Sequence, residues 1–330
     1  MRLSNFQNMN KEQQALLYMV RLGIGNDIEP GFDFTGVDWR NLVDSSFAQG
    51  VAAIAVDGLQ KLYESKPSLE LAIDRPEFES LKYEWFGSLF QTEGDYANHR
   101  QKAAELTRLF TEAGFRSCIL KGMSNALLYP NPSHRQCGDI DIWVEGGRER
   151  VLGFLRGRFR VGTAVIHHAH VDIFPDVAVE VHYLPAWLYN PLANRRLQRF
   201  FAREADAQFG NMTPLGFAAP LPKFNLVFNA VHIYKHYFQG ELTLKQLVDY
   251  YCILRHSSAE DRREAFCILK QVGLADFASW LMGKLEHELG LSPELALCPA
   301  SKPDTCHRPL GEMLCIFPWK LWHWFARRGF

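Results

Sequence analysis

The sequence predicts an α+β protein: a small mixed β-sheet core flanked by N-terminal and C-terminal helical regions. Three observations predict it. Residues 11–114 carry apolar side chains at helical spacing. Between 115 and 185 the texture changes to short alternating runs bounded by Gly and Pro, the mark of strands. From 186 onward helical spacing returns. The expected division is therefore 1–95, an N-terminal helical region; 96–185, the α/β core; and 186–330, a C-terminal helical domain.

The elements follow in order. KEQQALLYMVRLGIG reads as a helix stopped at Gly23 or Gly25, and VDWRNLVDSSFAQGVAAIAVDGLQKLYE continues the pattern. Asp74, Arg75 and Pro76 mark a break. Residues 76–114 then form one long helix or two stacked ones, ending at Gly114. FRSCILKG is a short buried strand ended by Gly, GDIDIWVEGG an alternating strand, and RERVLGFLRGRF a short amphipathic helix. AVIHHAHVDIFPDVAVEVHYLP reads as two alternating strands joined near Pro175 and Asp176. Helix patterns recur over 224–239, 242–256, 262–272 and 276–289, before a proline-rich stretch at 291–310 that reads as linker or irregular wrap.

Composition narrows the function classes. Of 330 residues, 47% are hydrophobic and 22% charged, which excludes a disordered or collagen-like chain. Lys and Arg total 36 against 37 Asp and Glu, so no overall field selects nucleic acid or an anionic membrane, and no extended nucleic-acid surface is expected. The seven Cys contain no CxxC pair, which points to reduced thiols and no zinc knuckle. The N-terminus is a poor signal peptide, and no run approaches the ~20 apolar residues that span a bilayer. The expectation is a soluble cytoplasmic protein with no transmembrane segment.

The informative residues begin with Leu120-Lys121-Gly122-Met123-Ser124, followed after fourteen residues by Asp139-Ile140-Asp141. Strand residues two apart point the same way, so Asp139 and Asp141 share one face while Ile140 and Ile142 bury in the other. Paired carboxylates repel unless a cation lies between them, and hard oxygen ligands suit Mg²⁺ or, in its place, Mn²⁺. VAVEVHY supplies a third acid: Glu180 and His182 share a face opposite the valines. If that strand lies beside the Asp139 strand, three carboxylates can hold two ions at the ~3.5–4 Å separation of two-metal phosphoryl and nucleotidyl transfer. The Lys121-Gly122-Met123-Ser124 turn opens a helix whose free N–H groups suit an anion, with the Ser124 hydroxyl and the Lys121 charge beside them. Arg135, four residues before Asp139, lies within reach of a phosphate.

At these residues the sequence resembles the nucleotidyltransferase superfamily of the DNA polymerase β type. More closely, LKGMSNALLYPNPSHRQCGDIDIWV and VEVHYLP look like the bacterial family described as uncharacterised nucleotidyltransferases. That family often adds a His-x-x-Lys-His helix and an Asp in a later apolar helix, here His232, Lys235, His236 and Asp249. The resemblance covers roughly residues 105–255, with Met123 standing between the Gly and Ser of the first motif. It implies an enzyme that moves NMP from a nucleoside triphosphate to a hydroxyl or phosphate acceptor and releases pyrophosphate. Asp139, Asp141 and Glu180 would be its catalytic metal ligands, and Gly122 and Ser124 its triphosphate contacts. The acceptor stays open among small molecule, sugar phosphate, tRNA and protein hydroxyl, as does the choice of base and the oligomeric state.

Other residues carry two readings. His182 is a partner or general base of the site, or a polar residue of the sheet edge. Lys235 binds phosphate or is solvated, and His232 and His236 line a substrate cleft or sit in the core. Asp249 most simply places charge near a helix N-terminus. In His167-His168-Ala169-His170, alternation puts His168 and His170 on one face and His167 on the other, and a cleft lining is the expected role. Cys137 has no base placed beside it. The C-terminal Trp319, Trp322 and Trp324 among Lys320, Arg327 and Arg328 suit an interfacial helix or one packed on the body. Two further functions compete: a non-catalytic nucleotide- or partner-binding protein on the same fold, and a helical interaction protein whose acids are surface charge.

Overall fold

The computed structural model describes residues 9–27, 31–301 and 306, so the Trp-rich C-terminus lies outside the described residues. Among the described residues the chain forms eleven α-helices and one five-stranded mixed sheet, the expected α+β class.

Helix α1 (Lys11–Gly23) starts at an Asn10–Gln13 capping box. Helices α2 (Trp39–Ala48) and α3 (Ala52–Ser65) follow, separated by residues 49–51. Helices α1 and α3 approach closely at Gly58, where an added Cβ would lie 1.8 Å from the Met19 carbonyl oxygen, so no other residue fits that crossing. Two short 3₁₀ turns, Ala72–Asp74 and Pro76–Phe78, make the predicted break.

Helix α4 (Glu79–Glu112) is one helix of 34 residues rather than two. It runs through residue 96 and joins the helical region to the sheet: its start buries Leu81 and Trp85 with the other helices, and its end buries Ala103, Leu106 and Phe110 against the sheet.

The sheet contains β1 (Ser117–Leu120), β2 (Ile140–Val144), β3 (Arg160–Ala164), β4 (His168–Asp172) and β5 (Val179–His182). Helix α5 (Gly122–Ala126) follows β1, and α6 (Gly147–Arg156) follows β2. The order is β1-β2-β5-β4-β3; β2 and β5 are parallel and the other pairs antiparallel. Strand β3 was not expected. It is a largely exposed edge strand with a register shift against β4, and Arg-Val-Gly-Thr-Ala offers no buried alternation to read. The opposite edge is covered where the Ile119 N–H donates to the Ala218 carbonyl at 2.8 Å.

Five helices complete the described chain: α7 (Pro191–Gly210), α8 (Pro222–Gln239), α9 (Leu244–Arg255), α10 (Ala259–Gln271) and α11 (Ala275–Leu289). Helix α7 falls in the stretch expected to be helical but was not singled out. The helices before and after the sheet share one apolar cluster. They are tied by Arg21 Nε donating to the Glu288 carbonyl at 2.9 Å and an Arg255 Nη donating to the Ile24 carbonyl at 2.7 Å. The described part of the proline-rich stretch wraps back on α11, with the Ser301 N–H donating to the Ser279 carbonyl at 3.0 Å. No described helix is long and apolar enough to cross a membrane.

Candidate functional site

The parallel pairing of β2 and β5 sets Asp141 directly across from Glu180. The strand pleat sends Ile140, Ile142, Val179 and Val181 into the apolar cluster under the sheet and the acids to the other face. That face opens on a cavity of about 980 Å³, within the range of small-molecule sites, lined by β2, β4 and β5 on one side and by α8 and α9 on the other. Asp139 immediately precedes β2, is half-buried and lines the same cavity. The segment before it is held from α4, where His99 Nε2 lies 2.6 Å from the Gly138 carbonyl oxygen. Asp141 is 1% exposed, so it is not a surface charge. One donor atom each from Asp141, Glu180 and His182 lies within 4.8 Å of the other two.

Asp141 is the electrostatic centre. Its Oδ1 receives Lys121 Nζ at 2.8 Å and His182 Nε2 at 2.9 Å. Burial works against its charge, but Lys121 and His182 outweigh it and hold the carboxyl below its ordinary pKa. Burial likewise opposes the charge of Glu180, while His182 and His168 lower its pKa, against the repulsion of Asp139. The same attractions overcome burial for the cations, so the pKa values of His182 and Lys121 are raised. His182 is buried on β5, between β2 and β4, and so is not at the sheet edge.

Lys121 reaches Asp141 from a strained turn. It has φ +41°, the only positive φ of a non-glycine among the described residues, a conformation that costs of order 1–3 kcal/mol. Gly122 follows at φ +38°, where glycine is the tolerated residue. Part of the turn is committed to its own backbone. The N–H groups of Ser124 and Asn125 are both bonded to the Lys121 carbonyl, and the Ser124 hydroxyl donates to that carbonyl at 2.7 Å. Ser124 is buried and is not among the cavity-lining residues; Lys121 and Gly122 are.

Arg135 lines the cavity, but its guanidinium is bound to Asp249 by two bonds of 2.8 and 2.7 Å, and the Tyr129 hydroxyl donates to Asp249 at 2.5 Å. Asp249 lies in the middle of α9 and is buried, so the helix-N-terminus explanation of this acid is corrected: it is the counter-ion of Arg135. Lys235 lines the cavity with its ammonium 4.3 Å from the Trp187 ring centre. His232 and His236 meet edge-to-face at 4.4 Å on the same wall, and burial pushes both pKa values down.

Lys245 was missed. It reaches the cavity from the first turn of α9, and burial together with Arg135 lowers its pKa. Its sequence signal was its place four residues before Asp249, one helical turn away.

The histidine run is rearranged relative to strand alternation. Strand β4 begins at His168, so His167 lies in the bend before it and is not bound by the pleat. Its ring packs 4.3 Å from His168 and 5.5 Å from His182, on the cavity side rather than the opposite face. Glu180 is flanked by His168 Nδ1 at 3.3 Å and by the half-exposed His170 Nδ1 at 3.5 Å.

The donor chemistry fits a divalent cation. Two carboxylates and one imidazole converge next to Asp139 and beside a cavity that also carries Lys121, Lys235 and Lys245. The family model described as "Uncharacterised nucleotidyltransferase" matches residues 35–288 of this chain. No curated protein matches it. Among solved structures, it is similar to the crystal structure of an antigenic nucleotidyltransferase-like protein from Paracoccidioides brasiliensis. The identity is 13% and the TM-score 0.32, over 58% of this chain and 92% of that one.

Proposed function

The chain belongs to the uncharacterised nucleotidyltransferase family, and from that premise we propose that it is a Mg²⁺-dependent nucleotidyltransferase of the cytoplasm. It moves NMP from a nucleoside triphosphate to a hydroxyl or phosphate acceptor and releases pyrophosphate. One observation carries this reading: Asp141 and Glu180 face each other across two parallel strands, beside Asp139, in a cavity that also carries lysines.

Asp139, Asp141 and Glu180 are the residues that would hold Mg²⁺, or Mn²⁺ in its place. Bound there, the ion supplies charge for the triphosphate and lowers the pKa of an acceptor hydroxyl. Lys121 and His182 keep Asp141 ionised. Lys235 and Lys245 add positive charge on the facing wall, where the triphosphate would lie. The acceptor oxygen displaces pyrophosphate at the α-phosphorus and its proton is released. The segment 96–185 is then the catalytic core, and the C-terminal helices close the cavity over nucleotide and acceptor. The six described cysteines are all free thiols, in keeping with a reducing compartment.

The test is calorimetric titration of ATP, GTP, CTP and UTP with Mg²⁺, followed by pyrophosphate release with candidate acceptors. No binding of any nucleotide, unchanged by Asp139→Asn, removes the proposal. A second reading, a non-catalytic nucleotide-binding protein, is favoured by Lys121, whose ammonium already lies on the Asp141 oxygen that His182 also contacts. It predicts nucleotide binding with no pyrophosphate released for any acceptor.

A further inference from the structure

The histidine face of the cavity holds a second set of donors. His168 and His182 are cross-strand partners on β4 and β5, with ring centres 5.0 Å apart. His167 closes the group from the bend before β4. One ring nitrogen from each of the three lies within 4.8 Å of the other two.

One nitrogen of each ring is left without a hydrogen bond. The Nδ1 atoms of His167, His168 and His182 are all buried and none makes one; the 3.3 Å approach of His168 Nδ1 to Glu180 lacks the alignment. A buried ring nitrogen without a partner is costly, and His182 is 3% exposed. Meanwhile His182 Nε2 is fixed on Asp141 at 2.9 Å. A carboxylate on one imidazole nitrogen that orients the other toward an ion is the usual outer support of a metal-bound histidine.

We propose that His167, His168 and His182 form a three-imidazole site for a borderline transition-metal ion of the Zn²⁺ class, distinct from the carboxylate site for a hard ion. Three nitrogen donors suit Zn²⁺ and its neighbours over Mg²⁺, and three protein ligands leave one coordination position for a molecule in the cavity. His170 is outside the set: it is half-exposed and faces Glu180. Asp141 links the two sites, contributing to the new one only through His182. The proposal does not rest on the transferase reading, because it needs no nucleotide and no Asp139.

The test uses the full chain, freed of metal with a chelator, then titrated with Zn²⁺ in excess Mg²⁺ and separately with Co²⁺ followed by visible absorption. One Zn²⁺ per chain is expected, with Co²⁺ bands of nitrogen and oxygen ligation and no near-ultraviolet thiolate band. His167→Ala and His168→Ala should each weaken binding by about 100-fold or more, and Asp141→Asn by about 10- to 100-fold. His170→Gln and Asp139→Asn should leave it unchanged. Should an alanine variant fail the circular-dichroism check for folding, His167→Gln and His168→Gln stand in with the same expected loss. No stoichiometric Zn²⁺, equal affinity after loss of His167 and His168, a thiolate band, or loss in His170→Gln would each overturn the proposal.

Discussion

Lys121 Nζ lies 2.8 Å from Asp141 Oδ1, so the most deeply buried acid of the cavity carries a built-in ammonium counter-ion. That ammonium stabilises the Asp141 charge, and under the proposed function it would compete with a metal ion for the same oxygen.

Lys121→Met should therefore separate the two roles. Divalent-ion binding in the absence of nucleotide should tighten several-fold, while triphosphate affinity should fall about tenfold, the effect of one lost charge contact near 1.4 kcal/mol. Calorimetry with Mg²⁺ alone and with Mg²⁺ plus nucleotide reads both. Unchanged ion affinity would show that Lys121 does not compete.

Asp139 and Asp141 should differ in what they support. Asp141→Asn leaves Lys121 and His182 buried without their shared anion, which should cost about 3 kcal/mol of stability as well as activity. Asp139→Asn, at a half-buried position, should leave the melting temperature within a few degrees and lower pyrophosphate release by about 10²–10³-fold. Thermal melts beside a pyrophosphate assay distinguish them.

The Arg135–Asp249 pair should matter to folding. Both residues are buried and doubly bonded, so Asp249→Asn leaves an uncompensated guanidinium and should destabilise by about 3–5 kcal/mol. Arg135→Lys keeps the charge but loses the two-pronged geometry and should cost less. Urea unfolding midpoints give the order; equal midpoints for wild type and Asp249→Asn would refute it.

His134 should make stability depend on pH. Its Nδ1 lies 2.7 Å from Asp57 and its Nε2 3.1 Å from Glu93. Burial opposes its charge, yet these two acids raise its pKa above the ordinary value. A raised folded pKa means the stabilisation is whole below the unfolded value of about 6.5 and is lost as pH rises through the folded one. Glu93 is half-exposed and screened, so the contribution is about 1 kcal/mol. The difference between wild type and His134→Gln in urea unfolding should be largest below about pH 6.5 and shrink by that amount as pH rises through the raised folded pKa; a constant difference would reject the linkage.

Local periodicity determined much of this protein. Residue spacing alone marked most helices, the strand that follows Asp139 and carries Asp141, and the Glu180–His182 face, because side-chain direction repeats every 2 residues in a strand and every 3.6 in a helix. The family the sequence resembles is the one whose model matches residues 35–288. Tertiary structure decided the rest. Asp141 meets Glu180 only because β5 pairs with β2, across a segment that contributes β3 and β4. Arg135 is committed to Asp249, 114 positions away, and the bend before β4 turns His167 onto the ring of His182. A long flexible side chain chooses its partner by the charge and burial around it, and those come from parts of the chain that local spacing does not connect.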